Sequence, residues 1–515
     1  DTFLEAARNV FKPFTPIKLV EHFQGRVHIC DDFVSEIANT GRHVILYGDR
    51  GVGKTSFANL SAFWANRDIS KQVSISCEES STFQSIMSSV FRELGINSAT
   101  TQIETQQQRI KSFSVNLGGS AAGTTKGYGE LKTSVPIKPE NKIDSDIATH
   151  QIKDLGATII IDEYDRFKSN QTDVSLAETI KRLSDLGSPT KIIIAGVAKN
   201  AFDLISKHPS LDRSCALIHI PRMSRHELEQ ILSYGESQLQ SAILPARHPR
   251  KLGPLPDQRN FDVRFPFEIR ERILDISDGF PFFTHLLALK LCEVYARRQI
   301  ASRPSQGTFL REDFQEALRE SLKHAELSIT ESYNKAVRDG NSKKPETVRI
   351  LDGIALSDSI EVPTNDIDYN MRLVHKRSRM SPRQIQGHIN ALCREGRGQI
   401  LERVRPGCYK FTDPRMRAYI RLSLQNNHPS LFSGQLDLPF GNHENKEEGI
   451  TLEERELLTK LYSRIPGYTA ESITYSDDFD ALHEEFCRQT GKSHSKRSVW
   501  RTLQNLRKAG RFRGN

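Results

Sequence analysis

The chain has 515 residues, 37% hydrophobic and 26% charged, with a net charge of +8, a length that calls for about two to four domains rather than one core. No apolar run approaches the length of a membrane-spanning helix, so no membrane span is expected. Seven scattered cysteines without a CxxC pair argue against structural zinc and disulfides and suit a reducing cytoplasm.

The chain starts Asp1-Thr2-Phe3 rather than with methionine; an upstream start is expected, and no signal-peptide pattern is visible. Residues 1–40 read as a lead-in, with Phe11-Lys12-Pro13-Phe14-Thr15-Pro16 and Phe23-Gln24-Gly25-Arg26. His43 to Tyr47 is strand-like and Thr55 to Trp64 is helical in pattern. Between them lies Gly48-Asp49-Arg50-Gly51-Val52-Gly53-Lys54-Thr55, followed by Ser56. This matches the phosphate-cradling P-loop in the strand–loop–helix setting that the motif requires. Glycines let the backbone curl without Cβ clashes, and the amides and helix N-terminus then face an anion. Lys54 should reach the β- and γ-phosphates of ATP, and Thr55 should ligate Mg²⁺.

Gln72 to Cys77 alternates like a strand, and Ser80 to Leu94 reads as a helix. Residues 97–148, rich in Gly, Ser and Thr, read as an insertion. Ala157 to Ile161 is a buried strand ending at Asp162-Glu163. Asp162 is expected to hold the same Mg²⁺, and Glu163 to polarise the attacking water, which points to an ATPase rather than a kinase. Leu176 to Leu186 is an amphipathic helix; Lys191 to Ala195 and Cys215 to Ile220 are strands. Ser224-Arg225-His226-Glu227 is a capping box opening a helix to about Gln238. Strands alternating with helices imply an α/β fold, a parallel sheet with nucleotide at the carboxyl ends of its strands. This core is assigned to 41–240.

Residues 242–259 contain four prolines and read as a loop. Helices at 267–277, 282–298 and 311–339 make an all-helical lid over 260–339. After a break at Asp339-Gly340-Asn341, helices at 346–357, 365–376 and from Ser381 to about Glu395 precede strands at 400–403 and 408–411. Three helices and a hairpin form the winged-helix pattern, whose third helix normally enters the major groove; this module is assigned to 340–425. From Met371 to Ile420 there are twelve Lys/Arg against Glu395, Glu402 and Asp413. Such an excess suits duplex DNA, a solvated basic face being the alternative. Arg383, Arg403 and Arg405 are the candidate phosphate contacts, and Gln384 and Gln386 the candidate base readers. His375 could approach a phosphate or sit on the surface. Residues 426–450 read as a linker. In the last module, 451–515, the helix from Ser495 to Ala509 carries Lys496, Arg497, Arg501, Arg507 and Lys508 around Val499, Trp500, Leu503 and Leu506, an apolar set that reads as core.

These motifs resemble the AAA+ and STAND P-loop ATPases, in particular the replication-initiator (Orc/Cdc6-like) and bacterial STAND-like groups, over about residues 20 to 420. The resemblance implies that Gly25-Arg26 packs near the adenine and that Arg213, just before the fifth strand, is an arginine finger or sensor. It implies that Pro281 of Gly279-Phe280-Pro281 touches the base, and that Lys199 or Asn200 occupies a sensor position. No arginine stands at the Gly279 to Phe283 corner, where many AAA+ proteins place a second sensor. The expectation is a cytoplasmic, homo-oligomeric, ATP-hydrolysing switch that binds duplex DNA and an effector or partner protein, in antiphage defence, mobile-element biology or replication control. The alternative is a STAND-type protein–protein scaffold; a ring-forming remodeller is a weaker third.

Overall fold

The computed structural model describes residues 2–17, 20–66, 68–96, 143–166, 170–197, 211–243, 263–301, 309–339, 342–357, 359–375, 380–428, 450–465 and 477–492, with His494, Val499, Thr502, Leu503 and Leu506. Helix α1 (Thr2–Val10) and helix α2 (Val27–Ala38) lead into strand β1 (His43–Tyr47) and helix α3 (Lys54–Ala65). Strand β2 (Gln72–Ser76), α4 (Phe83–Glu93), α5 (Ser145–Ile152), β3 (Thr158–Asp162), α6 (Asn170–Asp185), β4 (Lys191–Gly196), the short α7 (Leu211–Ser214) and β5 (Cys215–His219) follow. The strands form one parallel sheet in the order β2-β3-β4-β1-β5. Runs such as Ile159-Ile160-Ile161 are apolar throughout because alternate residues enter different cores. Val44, Leu46, Ile160 and Ile193 face one core, and Ile45, Ile159, Ile161 and Ile192 the other. Burial on both faces is what a parallel sheet demands.

Register fixes the working edge. Tyr47 pairs with Gly196 and His219, and Ser76 with Asp162. The carboxyl ends of β1, β3 and β4 therefore lie at one edge, with β1 and β3 two strand spacings apart, about 10 Å. Residues 97–142 of the expected insertion lie outside the described residues, as do Lys199, Asn200 and most of 242–259. The insertion's last stretch, from Ser145, is instead the start of α5, which is part of the second core.

Helices α8 (Arg225–Ile243), α9 (Phe267–Ser277), α10 (Pro281–Ala301), α11 (Arg311–Lys323) and α12 (Leu327–Val337) build the lid side. The single helix expected over 311–339 is two, because the chain turns at His324–Glu326, where Glu326 takes the extended φ/ψ of an N-cap. The lead-in is no loose arm. Phe11 is fully buried and α1 packs on α8 and α10.

Strands β6 (Arg338–Asp339) and β7 (Ser342–Lys343) pair at the composition break. Then come α13 (Pro345–Ala355), β8 (Val362–Pro363), α14 (Thr364–Val374), α15 (Pro382–Leu392), β9 (Leu401–Arg405), β10 (Cys408–Phe411) and α16 (Met416–Asn427). The three strands pair antiparallel in the order β8-β10-β9. Sequence patterning had no place for β8, two residues long, or for α16. Helix α16 is buried on nearly every side, so it lacks the one-sided periodicity that marks a surface helix. Ile350, Ile354, Met416 and Ile420 belong to the same buried cluster as Phe280 and Leu318 of the lid. The last module contributes α17 (Leu452–Tyr462) and α18 (Asp477–Thr490) around Leu458, Phe479, Phe486, Val499 and Leu503, with Phe479 against Phe267 of the lid at 5.0 Å between ring centroids. Val499 and Leu503 are core, as expected; Trp500 and the basic residues around it lie outside the described residues. Among the described residues no helix is long and apolar enough to cross a membrane.

Candidate nucleotide site

The loop after β1 needs its glycines. A Cβ on Gly48 would stand 2.1 Å from the carbonyl oxygen of Ile220, and Gly51 and Gly53 take φ of +82° and +93°, a region that L side chains rarely adopt. Helix α3 starts at Lys54 directly behind this turn, so its N-terminal amides face the cleft. The Lys54 ammonium donates to the carbonyl oxygens of Gly48 at 3.1 Å and Asp49 at 2.8 Å. Burial pushes its pKa down, while Asp165, Asp162 and Asp49 oppose that shift. A cation desolvated and satisfied only by its own loop suits an incoming phosphate, which supplies stronger acceptors.

Asp162 is buried at the end of β3, and its Oδ1 accepts from the Glu163 amide at 2.8 Å. The Thr55 hydroxyl and the Asp162 carboxylate are hard oxygen donors that could hold a divalent cation shared with phosphates; no cluster of three or more His, Cys, Asp or Glu suited to a metal occurs among the described residues. Glu163 has a positive φ of 54°, a strained conformation for a residue with a side chain, of the sort that gathers at functional sites. Its carboxylate accepts from Ser76 Oγ at 2.9 Å and pairs with Arg166 at 2.9 Å.

Loop, carboxylates and lid surround one cleft of about 640 Å³. Its apolar lining includes Phe14, Pro16, Ile17, Phe23, Pro281 and Phe282. Ser56 Oγ accepts from the Ile17 amide at 3.1 Å, so the lead-in lies across the start of α3. Pro281 approaches to 3.8 Å of where a Gly53 Cβ would be. Arg26 borders the cleft, but its Nη2 donates to Val52 O at 2.6 Å and Pro221 O at 2.9 Å, and its amide donates to Glu227 at 2.8 Å. Burial lowers its pKa to about 10. Arg26 therefore braces the loop at the border of the cleft, and Gly25 leaves room for Glu227.

Residues 37–205 match the family described as AAA domain. This segment is an AAA ATPase domain. It takes in β1, the glycine loop and the Asp162-Glu163 strand end. Three solved structures are similar to the chain: a Walker-type ATPase of Pyrococcus abyssi at 16% identity and TM-score 0.40, covering 79% of this chain and 99% of that one; the Aeropyrum pernix ORC1 protein in complex with DNA at 15% and 0.40, covering 82% and 98%; and the Aeropyrum pernix ORC2 protein at 12% and 0.39, covering 82% and 98%. No curated protein matches the sequence.

Other expected site residues fall elsewhere. Arg213 is exposed in α7, and its carbonyl accepts from Arg42 at 2.7 Å. It precedes β5, whose first residue pairs with His43 at the start of β1, so it stands at the edge opposite its own glycine loop. It cannot serve the ATPase domain's cleft within the same chain. Arg383, Arg403 and Arg405 are exposed on α15 and β9. The two glutamines are committed: Gln384 Oε1 caps its own helix by accepting from the Ser381 amide at 2.8 Å, and Gln386 donates to Tyr409 Oη at 2.7 Å and to Asn390 at 2.9 Å. His375 is neither a phosphate contact nor a surface residue, being largely buried and paired with Asp352 at 2.8 Å.

The basic excess of 371–420 is also smaller than its sequence suggests. Arg417 is buried and pairs with Asp278 at 2.7 Å, joined there by Arg421 at 3.0 Å and by Arg222, which also meets Asp49 of the glycine loop. Arg415 is buried in the wall of the nucleotide cleft. No local signal marks these roles, because their partners lie far away in the sequence.

Proposed function

We propose that the chain is an ATP-operated switch whose residues 340–425 form a winged-helix module that binds duplex DNA. Lys54 holds the β- and γ-phosphates, Thr55 and Asp162 hold Mg²⁺, and Glu163 positions water once it is released from Ser76 and Arg166. The reading of a switch rests on one observation: the module that presents Arg383, Arg403 and Arg405 to solvent also places Arg415 in the lining of the nucleotide cleft. The order α13, β8, α14, α15, β9, β10 supports the winged-helix assignment, with β9 and β10 as the wing. Ion pairing of Arg415 and Arg417 leaves the exposed arginines of α15 and β9 to carry polyanion binding, and the engaged amides of Gln384 and Gln386 favour contact through phosphates over base readout. Arg213, remote from its own cleft, is proposed to reach a second copy of the chain in an oligomer. Replication control, mobile-element targeting and antiphage defence are settings in which such a switch would act.

Titration of labelled duplex against full-length protein, with and without ATP, at several salt concentrations tests the reading. Each neutralised phosphate contributes about −0.9 to the slope of log K against log salt. Replacing Arg403 and Arg405 together should flatten that slope by about two units and weaken all sequences alike. Absence of salt-dependent binding under either condition would favour the scaffold reading, in which the module binds a partner protein.

A further inference from the structure

We infer that Arg415 binds the γ-phosphate, so that the C-terminal module supplies a phosphate-sensing residue to the ATPase cleft of its own chain. The inference rests on the ATP-switch reading and adds the residue that couples its two halves. Gly51 and Arg415 touch: a Cβ on Gly51 would stand 2.4 Å from Arg415 Cδ. The arginine is buried to 5% exposure and shares the cleft with Lys54, Thr55, Asp162 and Glu163. Its stem therefore rests on the glycine loop, and the residue lines the same cleft as Lys54.

The guanidinium has two unequal holders. Asp413 takes Nε at 3.0 Å and Nη2 at 2.7 Å, a two-pronged local clamp that fixes the plane. Glu326 takes Nη1 alone, at 2.5 Å, from the turn between α11 and α12. The other arginines of the cleft are otherwise committed: Arg26 to backbone carbonyls, Arg50 to Asp165, Arg166 to Glu163. A γ-phosphate is a dianionic acceptor of the geometry a guanidinium favours. Brought beside Glu326, it repels that carboxylate and replaces it on Nη1. A diphosphate lacks the group that competes. The exchange releases α12 from the start of α16 when ATP is bound and restores the link with ADP. Arg417 and Arg421, two and six residues further along the chain in α16, keep that helix on Asp278 and the lid, so the displacement is passed to the module rather than lost at one side chain.

The test uses full-length protein with ATPγS and ADP as probes. Arg415→Ala should weaken ATPγS binding about ten- to thirtyfold, the range of a charge-assisted pair, and ADP binding less than about threefold on the same basis. Glu326→Gln should shift ATPγS the other way, strengthening it with ADP little changed, because a competitor for Arg415 is removed. Hydrogen exchange supplies a second readout: ATPγS should alter protection of α12 and the start of α16 in the unmodified protein and not in Arg415→Ala. Equal loss of both nucleotides, or weaker ATPγS binding by Glu326→Gln, overturns the inference. If the unmodified protein binds ATPγS and ADP but no DNA, the DNA reading fails and Arg415 stands or falls on its own ratios. If it binds neither nucleotide, the site assignment fails and this inference with it.

Discussion

Lys54 and Glu163 occupy the same cleft with separable tasks. Lys54 is a half-buried cation satisfied by carbonyls of its own loop, whereas Glu163 is held by Ser76 and Arg166. Lys54→Ala should weaken ATP binding by about two orders of magnitude, as for the loss of charge-assisted hydrogen bonds to phosphate. Glu163→Gln should leave affinity nearly intact and cut turnover by about two to four orders, as for a general base. Equilibrium binding and steady-state hydrolysis on both variants separate the tasks, and normal turnover in Glu163→Gln would remove that residue from water activation. Arg213 enters the same measurement. Mixing Arg213→Ala with Glu163→Gln protein pairs an intact Glu163 with an intact Arg213 across an interface, so activity should return. Oligomers that form without recovery would deny Arg213 a role between chains.

At the scale of elements, local chemistry was a good guide where one or two neighbouring residues decide a boundary. The capping box of Ser224 and Glu227 opens α8, and Ser381 with Pro382 starts α15. It was a poor guide where a distant partner decides. Nothing in 311–339 breaks a helix locally; the turn at Glu326 has its ion pair from Arg415. Helix α1 is a similar case, since its place depends on Gly235 of α8. A Cβ there would lie 2.1 Å from Cζ and 2.6 Å from Cε1 of the buried Phe11 ring. Replacing glycine by alanine inside a helix ordinarily stabilises by about 1 kcal/mol. Here overpacking should outweigh that gain, with a net loss of about 1–3 kcal/mol. Denaturant melts should show Gly235→Ala destabilised, and Phe11→Leu in the same chain should recover part of the loss. A more stable Gly235→Ala would mean that α1 yields freely.

Across the whole molecule, two buried histidines make the fold acid-sensitive. Burial lowers His43 from an ordinary 6.5 to about 3 and His285 to about 4. His43 Nδ1 accepts from the Ile192 amide at 3.0 Å, which requires the neutral ring. Both folded pKa values lie below the unfolded one, so their contribution is intact above pH 6.5 and is lost as pH falls towards 4 and then 3. Between pH 7 and pH 5 each should cost about 2 kcal/mol of stability, at 1.36 kcal/mol per pH unit. Urea melts at the two pH values measure the loss. His43→Asn keeps an acceptor without a titrating ring, so its acid loss should be smaller than the parent's by about 2 kcal/mol; an unchanged loss would place the sensitivity elsewhere.

The amino-acid sequence by itself determined the parallel sheet, the glycine loop and the Asp162-Glu163 strand end. These depend on periodicity, on glycine where the backbone curls, and on a carboxylate pair closing an apolar run, all properties of contiguous residues. Register then had to bring two such pieces to one edge, and a parallel sheet leaves little choice of which edge. The tertiary structure decided which charges are free. Arg415, Arg417 and Arg421 are alike in sequence to Arg403 and Arg405, yet the first three are buried against carboxylates and the last two face solvent. It also decided that the C-terminal module shares the lid's core and contributes Arg415 to the lining of the cleft. Charge counts along a chain carry no information on burial, and desolvation with a fixed partner decides whether an arginine meets DNA, a phosphate or an aspartate.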